Sequence, residues 1–247
     1  MDRQTHDVYL GPNALCGNGQ IAAGPYNRPD IETGALMTQF DPFIANAQAF
    51  LHDLKANNTR DWWQAHKAIY DDQLKTPALA LMDAVCGPLQ KLTGVPALPK
   101  LFRPHRDVRF SKDKTPYTTH LHMMWQIAAE APQNPVFFFG IGLDYVTTGA
   151  GMMGFDKPVL SNWRKMVDLD TDRIAGVEAQ GFDLREPTLK RVPSPYEADH
   201  TAARLLRMKG VVASRELTGE GPLTKQLEDR FTNLWPLNDL LISIAEA

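Results

Sequence analysis

The chain has 247 residues, 43% of them apolar and 22% charged, and its 26 basic and 29 acidic side chains leave a net charge of −3. These proportions are those of a soluble globular protein and exclude the disordered, collagen-like and coiled-coil classes. A net charge of this sign gives no global attraction to nucleic acid or to an anionic membrane.

Two cysteines, Cys16 and Cys86, build neither a disulfide framework nor a metal set. The longest apolar run, 136–143, is broken by glycines and is far too short to span a bilayer. Together with the lack of a secretory or transit signal, this predicts a cytoplasmic protein. Residues 1–36 hold five glycines and three prolines without sustained periodicity. They are expected to be a disordered leader or an extension upstream of a start at Met37. Residues 37–247 then form a single domain.

Helical patterning begins at once after Met37. Asp41 is positioned to cap a helix with Pro42 at its first position, followed by Phe43, Ala47, Phe50, Leu51 and Leu54 at helical spacing. Asn57 and Asn58 stop that run. Thr59 can cap a second helix carrying Trp62, Trp63, His66, Ile69 and Tyr70, and Thr76-Pro77 repeats the cap-then-proline signal for a third. That third helix sets Leu79, Met82, Val85 and Leu89 on one side. Strand-like sequence follows at 101–110 and 135–146, with a glycine turn at 149–154. Helices are predicted at 160–167, 172–180 and 198–208, a strand at 211–213, and a last helix at 223–244 interrupted near Pro236. Helices at both ends flank a block of strands without β-α-β alternation. The predicted class is α+β, with a central, largely antiparallel sheet.

The segment 100–120 is the most informative. It holds six basic and two acidic residues, a local charge of +4 within a chain otherwise at −7. On a strand, Arg103, His105, Asp107 and Arg109 share one face, while Arg106 falls among Phe102, Val108 and Phe110 and needs a partner. The alternative is a polyproline-like course, in which Arg103, Arg106, Arg109 and Lys112 line one edge. Guanidinium forks suit carboxylate or phosphate oxygens. The segment therefore reads as an anion site or as an internal salt-bridge network around Asp107 and Asp113.

The motifs 57–70 (Asn-Asn-Thr-Arg-Asp-Trp-Trp-Gln-Ala-His-Lys-Ala-Ile-Tyr), 106–117 (Arg-Asp-Val-Arg-Phe-Ser-Lys-Asp-Lys-Thr-Pro-Tyr) and 189–193 (Leu-Lys-Arg-Val-Pro) carry a resemblance. With Asp-His-x4-Leu-Leu-Arg-Met-Lys-Gly at 199–210, they resemble domain-of-unknown-function family 2461 over about residues 40–245. Trp63 stands where that family more often has Phe. The resemblance implies a soluble, mainly bacterial protein, and it carries over no reaction and no catalytic residue.

Trp63, His66, Lys67 and Tyr70 fall on one face of the second helix. They suit either core packing or the shaping of a ligand's organic part. Gly149-x-Gly151-x-x-Gly154 has dinucleotide-fingerprint spacing, but Pro158 delays the helix that fingerprint needs, so a turn is expected. Ser111-x-x-Lys114 lacks the partner motifs of serine–lysine enzymes. His120-x-His122, even with His105, lacks an acidic or thiol ligand in sequence, and no metal is predicted.

Three functions compete. The first is a basic cleft for a small anionic ligand, phosphorylated or not. Arg103, Arg106, Arg109, Lys112 and Lys114 hold the anion, and Trp63, His66, Tyr70 and Tyr117 shape the remainder. His66, His105 or His120 is available for proton transfer, with Asp107 orienting it. The second is a nucleic-acid module on the same patch, against which the overall acidity argues. The third is an interaction protein with a structural arginine–carboxylate network. Cofactor, reaction and oligomeric state are not readable from the sequence.

Overall fold

The computed structural model describes residues 40, 42–172 and 182–247. The leader, Asp41 as a cap, and nearly all of the helix predicted at 172–180 lie outside these residues. Helix α1 (Phe43–Ala56) buries Phe43, Ala47, Phe50, Leu51 and Leu54, the predicted stripe. Helix α2 (Arg60–Tyr70) starts where the Thr59 side chain accepts the Trp62 N–H at 3.3 Å.

Thr76-Pro77 does not restart the chain. A π-helical stretch, Asp71–Lys75, carries α2 directly into α3 (Thr76–Thr93), whose preceding residue Lys75 is itself helical. Pro77, at the start of α3, supplies no N–H to the ladder at the point where the π register gives way to α. Within α3 the buried stripe runs through Ala78, Leu81, Met82, Val85, Cys86 and Leu89. Leu79, expected inside, is 48% exposed, while Met82, Val85 and Leu89 are buried.

Among the described residues six strands follow in one antiparallel sheet. They are β1 (Ala97–Leu101), β2 (Leu121–Ile127), β3 (Val136–Ile141), β4 (Val146–Met152), β5 (Asp183–Leu184) and β6 (Val211–Glu216). Their order across the sheet is β1-β2-β3-β4-β6-β5. Burial alternates strictly along β2, placing Leu121, Met123, Trp125 and Ile127 under the helices. The region 135–146 is thus two strands and a turn.

The glycine turn expected at 149–154 is instead largely strand β4. Gly149 lies beneath the Phe138 ring, where an added Cβ would stand 2.2 Å from a ring carbon and 2.4 Å from the Ala213 carbonyl oxygen. Gly151 combines a φ of 132° with a Val211 carbonyl oxygen 2.0 Å from any Cβ. These glycines serve close strand packing, not chain reversal.

Helix α4 (Lys157–Leu169) is close to prediction. The helix expected at 198–208 shrinks to α5 (Ala203–Leu206), and the final helix α6 (Leu223–Glu246) runs uninterrupted past Pro236. Helix α3 packs on β1 and β2, α6 packs on β4 and α3, and α4 packs on α6. One continuous core joins these layers, and its indoles are anchored. Trp125 donates to the Met82 carbonyl at 3.0 Å and Trp163 to that of Leu205 at 3.1 Å. Among the described residues no helix is long and apolar enough to cross a membrane.

Candidate functional site

The segment singled out by its charge is an arm. Beyond β1 and β2 the hairpin continues irregularly, held by Arg106 N–H to Pro116 O at 2.8 Å and Thr118 N–H to Pro104 O at 2.7 Å. These bonds flank a single bridge between His105 and Tyr117. The regular strand therefore ends at Leu101 rather than continuing to Phe110. Pro104 lacks the N–H that a longer ladder needs.

Past the bridge, side chains replace ladder bonds. Arg106 donates to Asp113 Oδ2 at 2.6 Å, to the Thr115 carbonyl at 3.1 Å and to the Thr115 hydroxyl. Asp113 Oδ1 accepts the Thr115 N–H at 2.9 Å. Asp107 takes the Arg109 guanidinium in a fork at 2.6–3.1 Å and also the Arg109 N–H. Lys114 Nζ donates to the carbonyls of Val108 and Arg109. These bonds hold the carboxyls of Asp107 and Asp113 down at about 2. The leading causes are the Arg109 side chain for Asp107, and the Thr115 N–H followed by Arg106 for Asp113.

The cations thus do not line one edge. Arg106, Arg109 and Lys114 brace the arm internally, and Phe110 is 90% exposed, so no apolar face surrounds Arg106. Lys112 is exposed and makes no ion pair among the described residues.

The root of the arm is fixed by aromatic packing that joins two of the sequence motifs. The Tyr117 ring stacks on Trp63, with centroids 4.4 Å apart and planes at 15°, and Tyr70 meets Trp63 at 4.8 Å. Trp63, Tyr70 and Tyr117 are all buried, so their faces are spent on each other and are not open to a ligand. Burial and the neighbouring Asp71 push the Tyr70 hydroxyl well above its ordinary pKa. His66 turns away from this stack. It lies flat on Trp62 at 4.0 Å, and its Nδ1 donates to the Trp62 carbonyl at 2.8 Å.

Asn58 is a positioning residue that sequence reading missed. Its Oδ1 accepts the Tyr117 N–H at 3.1 Å and its Nδ2 donates to the Tyr117 carbonyl at 2.9 Å. In the sequence it counted as a helix stop and as a member of the 57–70 motif, and neither reading pointed to Tyr117.

His105 lies at the surface beside this stack. Its ring stands edge-on to Trp63 at 5.9 Å and to Tyr117 at 4.9 Å, and its side chain is exposed. Neither ring nitrogen is hydrogen-bonded among the described residues. Its pKa lies below the ordinary histidine value, first because of burial against the stack and then through the charges of Arg103, Arg60 and Lys67. Arg103 comes from the arm, while Arg60 and Lys67 come from α2. Lys67 is paired with Asp71, and Arg60 is exposed and forms no ion pair among the described residues. Arg60 had carried no weight in the sequence, where it is one helix-initial arginine among many surface cations.

The other histidines do different things. His120 and His122 stack at 4.0 Å, and His122 Nε2 meets the Tyr145 hydroxyl at 3.2 Å. Among the described residues no group of three His, Cys, Asp or Glu side chains is arranged to hold a metal ion.

No curated protein matches the sequence. The model of a conserved hypothetical protein family, DUF2461, matches residues 46–241, which span α1 through most of α6 and include both the Trp63 helix and the arm. The chain belongs to the DUF2461 family.

Proposed function

We propose that the protein binds a small anionic ligand, bearing phosphate or carboxylate, at His105. The observation that carries this reading is that the charges of Arg60, Lys67 and Arg103, from two separate elements, act on one exposed imidazole whose nitrogens have no hydrogen-bond partner among the described residues. An anion among these cations accepts hydrogen bonds from the guanidinium groups. It also offsets the cationic repulsion that, after burial, holds the His105 pKa below its ordinary value. The proposed ligand set is narrower than the basic segment as a whole. Arg106, Arg109 and Lys114 are engaged within the arm and serve the site by holding it in place, while Lys112 projects from the arm.

The test couples binding to protonation. His105 is titrated by NMR with and without inorganic phosphate, a sugar phosphate or a dicarboxylate, alongside a thermal-shift series. Binding should raise the His105 pKa and the melting temperature, and both effects should vanish in Arg60→Ala. Unchanged titration and melting with every anion refute the reading. A response confined to single-stranded oligonucleotides, lost steeply with salt, transfers the site to nucleic acid instead.

A further inference from the structure

The motifs 189–193 and 199–210 take no part in the His105 site, and they meet elsewhere. The Leu189 N–H donates to the Arg207 carbonyl at 3.0 Å, which ties the two stretches together. The second stretch is in turn fastened to α4, where Trp163 donates to the Leu205 carbonyl at 3.1 Å and His200 Nε2 faces Asp168 Oδ1 at 3.0 Å.

Arg164 and Asp168 stand one turn apart on this flank of α4. Opposite charges at that spacing attract, though less well when the basic residue comes first. Here they form no ion pair with each other.

Asp168 is held by His200. The Nδ1 of His200 accepts the Ala202 N–H at 3.0 Å, so the ring proton sits on Nε2 and is donated to the carboxylate. One carboxylate oxygen is thereby fixed. The side chain stays 48% exposed, and its second oxygen has no hydrogen bond among the described residues.

Arg164 is the opposite case. Its Nε is buried without a partner, and its guanidinium makes no hydrogen bond or ion pair among the described residues. Most buried donors find an acceptor, and leaving one unpaired costs stability. This half-buried guanidinium is held by packing alone. Its planar fork remains available to a carboxylate from outside the protein.

We propose that this flank of α4 binds a small zwitterion of the α-amino acid type, its carboxylate on the Arg164 fork and its ammonium on Asp168. The two charges select the class together. A phosphate or dicarboxylate drawn to Arg164 meets the Asp168 carboxylate one turn away and is repelled. A simple amine drawn to Asp168 meets the guanidinium in the same way. Only a ligand carrying both charges on one short skeleton satisfies both groups.

The test is an NMR titration of the full chain with L-alanine, acetate and ethylamine, read at the Arg164 Nε–H and the Asp168 amide. Concentrations run over about 1–50 mM, the range for ligands of so few atoms. L-Alanine should give saturable shifts, with acetate and ethylamine at least about tenfold weaker. Asp168→Asn keeps an oxygen for the His200 N–H but loses the charge. It should weaken L-alanine about tenfold and strengthen acetate, so that the preference narrows or reverses. Arg164→Gln should abolish the response at the Asp168 amide. Both variants should retain the wild-type circular dichroism. The absence of a saturable shift with L-alanine overturns the proposal. So does acetate binding as tightly as L-alanine to the wild type, or a preference that Asp168→Asn leaves unchanged.

Discussion

Asn58→Ala tests whether the arm is held by two hydrogen bonds from a helix-connecting loop. The His105–Tyr117 bridge is of the non-hydrogen-bonded kind, since its bonds run from Arg106 to Pro116 and from Thr118 to Pro104. The N–H and C=O of Tyr117 therefore point away from His105, and β3 ends too early to receive them, its last partner on β2 being Leu121. Asn58 takes the place of a missing strand by satisfying both groups. Truncation removes two bonds and leaves two part-buried backbone groups unpaired. At about 1–2 kcal/mol each, the expected loss is about 2–4 kcal/mol. For a chain of this size that is a fall in melting temperature of about 5–10 °C. Urea denaturation followed by tryptophan fluorescence should show a lower midpoint with an unchanged slope. Asn58→Asp keeps the acceptor but sets a carboxylate oxygen against the Tyr117 carbonyl, so it should be no better than alanine. If either variant lies within about 0.5 kcal/mol of wild type, the ordinary range for an uninvolved surface site, the clasp is not a structural element.

Acidification should loosen the arm before it unfolds the core. Asp107 and Asp113 have pKa values depressed to about 2 in the folded protein, so their contribution is present above the unfolded carboxylate range near 4 and is lost as pH falls through 2. The amide resonances of Arg109 and Thr115, which these carboxylates bind, should move in that window while that of Trp125 stays fixed. Gly151→Ala should destabilise by about 3 kcal/mol or more, because it adds a backbone clash to a strained φ. Wild-type thermal stability in that variant refutes the close-approach argument. His200 Nδ1 accepts the Ala202 N–H at 3.0 Å, which fixes the proton on Nε2 facing Asp168, also at 3.0 Å. His200→Gln cannot hold both contacts and should speed amide exchange at Ala202, whereas an unchanged exchange rate removes this histidine from the turn.

Helices and strands were legible where one face is buried at a constant period. The stripe Phe43, Ala47, Phe50, Leu51 and Leu54 and the Thr59 cap come directly from residue chemistry. The errors arise where tertiary context overrides a local signal. Pro236 reads as a break, yet residues on both sides of it, Leu234 and Leu237, are buried in the core, and that packing carries the helix across the missing N–H. Gly149 and Gly151 read as a turn because a glycine's need for space and its need for an unusual dihedral look the same in sequence. Only the Phe138 ring and the β6 backbone distinguish them.

The charge at 100–120 shows the same limit for function. Six cations in 21 residues mark a region, but sequence does not say which cations are engaged within the protein and which face a ligand. Arg106 reaches Asp113 seven residues away, and Arg109 reaches Asp107 two residues back. Strand spacing puts Asp107 and Arg109 on one face, but the segment is neither strand nor helix, so periodicity alone does not choose between the network and an anion site. The basic stretch is in large part a self-neutralising brace. Part of the positive field at His105 comes from elsewhere, from Arg60 and Lys67 on a helix recognised only for its aromatics. That division has a physical reason. A site that attracts an anion needs charge on a rigid support, and a chain with few ladder bonds gains rigidity only by pairing some of its own charges. The arm accordingly uses Arg106 and Arg109 for stiffness, and the packed α2, fastened through Trp63 and Tyr117, would supply Arg60 and Lys67 to the proposed anion site.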